Sequence, residues 1–242
     1  MGRASLVGGL EPLEARRMFV IDTVDLFHPP APTVTRTGTL VAGGTEFADV
    51  VAVFRAGPHI RVVQEDPGDP TIVMNFHATR VKRISIDVGE GGDRVSVAQN
   101  VDRRCTIFGG AGGDVIEGGP GDTIFGGGGN DKLFARGVDP TLDDEGNVVR
   151  HAAPEGPASV VGGAGNDTLI VGEDDYVAGG PGTHDRLWYQ SFMPEGGNAL
   201  QFQRTEFNRL IAFSPIPEGI EDQDVWLRVV TPTGVRELTL ED

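Results

Sequence analysis

Apolar residues in the middle of this chain recur about one repeat apart and do not follow the 3.6-residue period of an amphipathic helix. Ile86, Val95, Ile107, Ile116, Ile124, Leu133, Leu169, Val177 and Leu187 each sit at the centre of a very short run, most of them after a glycine-rich stretch. That pattern predicts minimal strands whose large aliphatic residue points inward, forming a ladder between two thin sheets. Upstream, from Thr33 to about Met74, apolar and polar residues alternate in runs separated by Gly, Pro and Asp, which predicts β-hairpins. Downstream, NALQFQRTEF, RLIAFSPIP, DVWLRVVT and VRELTLED read as further strands. The predicted fold is all-β: a segment and linker over 1–32, a β-rich N-terminal cap over 33–78, a roll over 79–190 and a β-rich C-terminal cap over 191–242. Caps are a physical need, since an uncovered end exposes both apolar ladder and strand edges.

The runs belong to an internal repeat. From Gly109 the chain reads GGAGGDVIE, then GGPGDTIF, then GGGGNDKLF; from Gly162 it reads GGAGNDTLI, VGEDDYVA and GGPGTHDRLW. VGEGGDRVS from Val88 fits the same frame. Three copies match G-G-x-G-x-D-x-U-x throughout, with U a large aliphatic residue. Five glycine triplets permit tight turns with carbonyls aimed inward, and each is a candidate to hold metal through those carbonyls. They are Gly109, Gly110 and Gly112; Gly118, Gly119 and Gly121; Gly126, Gly127 and Gly129; Gly162, Gly163 and Gly165; and Gly179, Gly180 and Gly182. In and around these turns stand the candidate metal-binding acids Asp93, Asp114, Asp122, Asp131, Asp167, Asp175 and Asp185. Carboxylates among backbone carbonyls make a set of hard oxygens, the ligand type that calcium prefers. Metal-free, the alternative is a plain β-solenoid whose glycine turns need no ion.

An interruption runs from about Ala135 to Val161, and TLDDEGNVVR within it predicts a hairpin turning at Glu145-Gly146-Asn147. Asp143, Asp144 and Glu145 lack the spacing of an EF-hand loop, so a solvated hairpin is favoured. GGTEFADVVAV upstream holds a worn repeat, with Asp49 at the acid position and Val51 at U.

Composition sharpens the picture. The 36 glycines among 242 residues suit turns rather than long helices. A net charge of −16 leaves no basic surface for phosphates, which argues against nucleic acid and for solubility, cation binding or both. Cys105 is the only cysteine, so there is no disulfide framework and no cysteine-based zinc site. No run approaches the ~18 apolar residues of a membrane helix. No apolar segment follows Arg3 as in a conventional signal peptide, and the myristoylation pattern fails at position 6.

With these residues the chain resembles the repeats-in-toxin family of calcium-binding nonapeptide proteins. The resemblance implies a right-handed parallel β-roll in which two repeats make one turn, and several Ca²⁺ ions lie between turns on the same edge. Carried over, Asp114 and Asp131 line one edge with Asp93 beneath them, and Asp122 lines the other. Beyond the interruption, Asp167 and Asp185 share an edge and Asp175 lies opposite. There are departures: Cys105 replaces Asp in NVDRRCTIF, with Arg103 and Arg104 beside it, and Asp174 replaces a glycine. Near the N-terminus, LEARRMF from Leu13 resembles the LExRRLL segment of many large exported proteins of planctomycete bacteria.

Catalysis has little to stand on. The sequence holds no G-x-S-x-G elbow and no H-E-x-x-H helix, and its histidines at 28, 59, 77, 151 and 184 lack ligand spacing. The function expected is extracellular calcium binding that drives folding of the roll, in a secreted or cell-surface protein that is not an enzyme. An adhesive or structural module with a cell-surface protein or glycan partner would use the same roll. A calcium-dependent polysaccharide-active enzyme is the third reading, with Arg80, Lys82, Arg83, Arg94, Arg103 and Arg104 as a basic face.

Overall fold

The computed structural model describes residues 29–135, 156–172, 175–182, 184–192, 220–231 and 234–239. The LEARRMF segment, the hairpin expected at Glu145, Asp174 and the strands expected over 198–217 lie outside them. The described chain is all-β, apart from one short 3₁₀ turn at Ala78–Arg80.

Two sheets face one another. The seven-stranded sheet runs β1 (Thr33–Val34), β2 (Thr39–Gly43), β6 (Arg83–Asp87), β8 (Cys105–Ala111), β10 (Thr123–Gly128), β12 (Ser159–Ala164) and β14 (Tyr176–Ala178). The ten-stranded sheet begins at β5 (Ile72–His77), β4 (His59–Glu65) and β3 (Val50–Ala56). It continues through β7 (Arg94–Val97), β9 (Val115–Glu117), β11 (Lys132–Phe134), β13 (Thr168–Val171), β15 (Asp185–Phe192), β16 (Ile220–Thr231) and β17 (Gly234–Thr239). From β6 to β15 successive strands alternate between the sheets, and pairing from β2 to β14 and from β3 to β16 is parallel throughout. This is a two-sheet β-roll.

Register stacks like on like. Ala42, Ile86, Ile107, Ile124, Val160 and Val177 form one inward row. Val51, Val95, Ile116, Leu133, Leu169 and Leu187 form the facing row. All are buried, as the repeat's U position requires. Strands this short bury only one or two side chains each, so the rows hold together through stacking and not through any single strand.

The roll starts earlier than residue 79: β2 and β3 already form a coil, and the hairpin β4–β5 is an excursion from it. The interruption is shorter than the sequence suggests, because Ser159–Val161 already pairs with Thr123–Phe125 in β12. It therefore replaces a turn and leaves the sheet unbroken. At the far end β16 extends the sheet in parallel and β17 turns back antiparallel.

Ile124 sits fully buried mid-row, between Ile107 and Val160. Ile124→Ala is expected to destabilise the roll by about 2–5 kcal/mol, as large-to-alanine core substitutions do. Chemical denaturation at fixed calcium concentration measures it.

Candidate metal-binding edge

The roll has two edges, and they are built differently. On the first, each turn leads from the seven-stranded sheet into the ten-stranded one and ends in an aspartate. Asp49, Asp93, Asp114, Asp131, Asp167 and Asp185 follow one another along it, all buried. The ladder is continuous across the interruption, joining acids that the sequence divides into two groups.

One hydrogen bond repeats at every step. The backbone N–H of Asp49 donates to Asp93 Oδ1 (2.7 Å), that of Asp93 to Asp114 Oδ1 (2.8 Å), and that of Asp114 to Asp131 Oδ1 (2.9 Å). Asp131 N–H donates to Asp167 Oδ1 and Asp167 N–H to Asp185 Oδ1, each at 2.8 Å. The other carboxylate oxygen is left over. Oδ2 of Asp93, Asp114, Asp131 and Asp167 is buried with no hydrogen-bond partner.

In three coils these leftover oxygens point at the first glycine of their own turn. A Cβ on Gly109 would collide with Asp114 Oδ2 and with the carbonyl oxygen of Gly126 in the next coil. Gly126 repeats this with Asp131 Oδ2 and the Gly162 carbonyl, and Gly162 with Asp167 Oδ2 and the Gly179 carbonyl. Each of these coils thus has a cradle where a carboxylate and a carbonyl oxygen converge on space that only glycine leaves open. Gly110 and Gly112, with φ of 101° and 124°, complete the turn in a conformation closed to other residues.

The remaining first-edge glycines sit differently from the first of each triplet. The second glycines stack on one another. A Cβ on Gly127, Gly163 or Gly180 would run into the carbonyl oxygen of its counterpart one coil earlier, Gly110, Gly127 or Gly163. The third glycines do the same, with Gly129, Gly165 and Gly182 set against the carbonyls of Gly112, Gly129 and Gly165. These six let neighbouring turns approach backbone to backbone, and no carboxylate Oδ2 lies against any of them. The carbonyls of Gly110, Gly112, Gly127, Gly129, Gly163 and Gly165 face the glycine of the next coil, whereas those of Gly126, Gly162 and Gly179 face the cradles.

The electrostatics are severe. Stacked at a strand spacing of ~4.8 Å, neighbouring ionised carboxylates repel by about 3 kcal/mol at an effective dielectric constant near 20. Repeated along the ladder, that rivals the ~5–15 kcal/mol that holds a typical domain together. Burial is the main cause pushing the Asp93 carboxyl up to about 7, with Asp114 and Asp49 adding repulsion. Burial likewise raises Asp131 and Asp167 to about 6, and raises Asp114. The edge calls for positive charge, as protons or as a cation. Hard oxygens from carboxylates and carbonyls fit calcium. No cluster of three acidic, histidine or cysteine side chains gathers among the described residues, so carbonyls would have to complete any such site.

The second edge is self-sufficient. Asp122 Oδ1 accepts the N–H of Cys105 (2.7 Å) and its Oδ2 that of Gly119 (2.8 Å). Asp175 is bonded in the same way, Oδ1 to Ala158 N–H (2.8 Å) and Oδ2 to Gly172 N–H (2.6 Å). The triplet beside Asp122 has structural work of its own. Gly118 makes room for the core side chain of Ile124, Gly119 donates to the acid, and Gly121 turns the chain with φ of 79°. Burial raises Asp122 to about 6 despite its donors and the nearby Arg104. Cys105 occupies the acid position, buried, with its thiol pushed well up, chiefly by burial and then by Asp122. Arg103 bonds the carbonyls of Val81 (2.6 Å) and Ala78 (3.2 Å), stitching the worn turn to the end of the hairpin.

Three placements are not legible in the sequence. His59 and His77 meet across β4 and β5 with ring centroids 5.5 Å apart. Gln64 and Asp66, at the end of the strand-like run HIRVVQED, are buried and not solvated. The residues offered as a basic face are divided, Arg83 lying on one sheet and Arg94 on the other, where Arg94 pairs with Glu117 at 3.1 Å.

No family model, no curated protein and no solved structure matches this chain.

Substitutions separate the cradles from their surroundings. Gly126→Ala fills one cradle and is expected to abolish ion-dependent stabilisation there. Gly128→Ala faces open space, where Ala111 and Ala164 already occupy the matching position, and should stay within about 0.5 kcal/mol of wild type by thermal melting.

Stability should also depend on pH. With Asp93, Asp131 and Asp167 raised to about 6–7 in the fold, the folded state binds more protons than the unfolded chain. In chelator, that contribution is fully present below pH ~4 and is lost as pH rises through 6–7. Melting temperature in EDTA should therefore fall between pH 5 and pH 8, and saturating calcium should remove or invert the trend.

Proposed function

We propose that this chain is a calcium-binding β-roll protein of the repeats-in-toxin type that works outside the cytoplasm and has no catalytic role. The observation that carries the reading is the row of buried Oδ2 atoms without donors, three of them beside a next-coil carbonyl in a space kept open by glycine. On this reading Asp93, Asp114, Asp131, Asp167 and Asp185 hold several Ca²⁺ ions along one edge, together with turn carbonyls such as those of Gly126, Gly162 and Gly179. A bound divalent ion would supply the charge that the carboxylates lack, so ion binding becomes folding free energy. Asp122 and Asp175 act instead as turn locks, because backbone N–H groups already use both oxygens of each.

An extracellular setting is favoured by the calcium supply that such a fold needs, with affinity on the order of 10⁻⁴–10⁻³ M as in extracellular calcium modules. No helix among the described residues is long and apolar enough to cross a membrane. A hollow of about 350 Å³ beside the first coil is lined by Asp87 with Pro30, Ala31, Thr33 and neighbouring apolar and glycine residues. It brings no base to face that single carboxylate.

Far-UV circular dichroism during a calcium titration, with magnesium as control, tests the reading. A cooperative gain of β signal with calcium alone is expected, and a spectrum already β-rich and indifferent in chelator would overturn it. Asp131→Asn should move the calcium midpoint several-fold upward. Asp122→Asn should leave the midpoint in place and lower stability by about 1–3 kcal/mol, the cost of losing a buried acceptor.

A further inference from the structure

The first rung of the acid ladder differs from the rest. Among the described residues no coil precedes Asp49 to offer an N–H to its Oδ1, and that buried oxygen has no hydrogen-bond partner there. Its Oδ2 is occupied, accepting the N–H of Thr45 (2.6 Å) and the Thr45 hydroxyl (3.0 Å). The Asp49 turn keeps the cradle's outline, since a Cβ on Gly44 would meet Asp49 Oδ2 and the Val88 carbonyl of the next coil, but Thr45 already occupies that Oδ2 and only Oδ1 is left over.

The place of a preceding coil is taken by β4, which runs antiparallel to β3 with Val51 opposite Gln64 and Val50 opposite Glu65. One more step in that register sets Asp66 opposite Asp49. Burial alternates along the strand, so Ile60, Val62, Gln64 and Asp66 all lie on the inner side. A plain lid over an apolar core would continue with aliphatic residues. Here the row changes to an amide and a carboxylate where it passes the end of the ladder.

Gln64 is 1% exposed, and its amide is anchored, with Nε2 donating to the carbonyl of Gly43 at the start of the Asp49 turn. Its Oε1 is buried on that same turn with no hydrogen-bond partner. An amide oxygen left bare in an apolar row costs free energy unless something binds it. Asp49 and Asp66, 3% and 8% exposed, bring two carboxylates to the same end.

We infer that Asp49 Oδ1, Gln64 Oε1 and Asp66 form a separate calcium site that closes the N-terminal end of the ladder and fastens the β3–β4 hairpin to the roll. The donors are all hard oxygens, and the two carboxylates balance a divalent charge. The site uses no repeat motif. It rests on the calcium reading for the identity of the ion, and its geometry stands apart from the cradles.

Native mass spectrometry of the full chain at saturating calcium counts the ions. Asp66→Asn is expected to bind one fewer than wild type while keeping its β signal by circular dichroism. An unchanged count in folded Asp66→Asn overturns the inference. Asp114→Asn separates the two readings: if wild type holds a single ion that Asp66→Asn loses and Asp114→Asn retains, the end site stands and the ladder reading falls. Wild type with no bound ion overturns both. Should Asp66→Asn fail to fold, crystals of wild type grown with calcium decide. Anomalous density between Asp49 and Asp66 supports the site, and a water there refutes it.

Discussion

A single contact organises this molecule: the carboxylate of one coil accepting the backbone N–H of the aspartate in the coil before it. The contact fixes the register of successive turns, because a slip by one residue would remove the acceptor and turn each aliphatic residue away from the core. It also creates the central problem, since every carboxylate so used is drawn inside beside another of the same charge. Along the middle of the ladder the chain satisfies only one oxygen of each carboxylate. Packing rows such as Ile107–Ile124–Val160 favour the stack, and the acids oppose it until something positive arrives.

The two edges show that the same motif can solve this problem in two ways. On the second edge Asp122 turns its spare oxygen back to Gly119 N–H in a turn one residue shorter, and Asp175 does the same with Gly172. Shortening brings a backbone donor within reach, and the carboxylate becomes a lock. At Asp114, Asp131 and Asp167 on the first edge, the longer turn brings no donor to the second oxygen, which faces a glycine cradle with a carbonyl from the next coil. Turn length thus separates structural acids from candidate ligands more clearly than the presence of aspartate does.

The interruptions follow from the same constraint. The hairpin β4–β5 and the passage from β11 to β12 both fall between the ten-stranded sheet and the seven-stranded one, on the second edge. An excursion there displaces at most a lock. One on the first edge would break the acid ladder, which instead runs unbroken from Asp49 to Asp185.

Much of this was legible in the chain itself. Repeat spacing determined the all-β roll, the inward row and the assignment of Asp93, Asp114, Asp131, Asp167 and Asp185 to turns, because a glycine-rich turn and a three-residue strand leave little freedom. Local sequence also marked Cys105 and Arg103 as a worn turn. What it could not decide depends on distance through space. The shortened turn at Asp122 is visible in the sequence, but that its second oxygen closes on Gly119 N–H while its first reaches back to Cys105 in the preceding coil is seen only in the folded turn. Gly126 and Gly127 look alike in sequence, yet one opens a cradle and the other packs on Gly110, because each meets a different coil. The burial of Gln64 and Asp66 depends on which edge of the sheet β4 joins, and the meeting of His59 with His77 on how β5 pairs with it. Those are consequences of register between strands, and register is set by the assembled core rather than by any one run of residues.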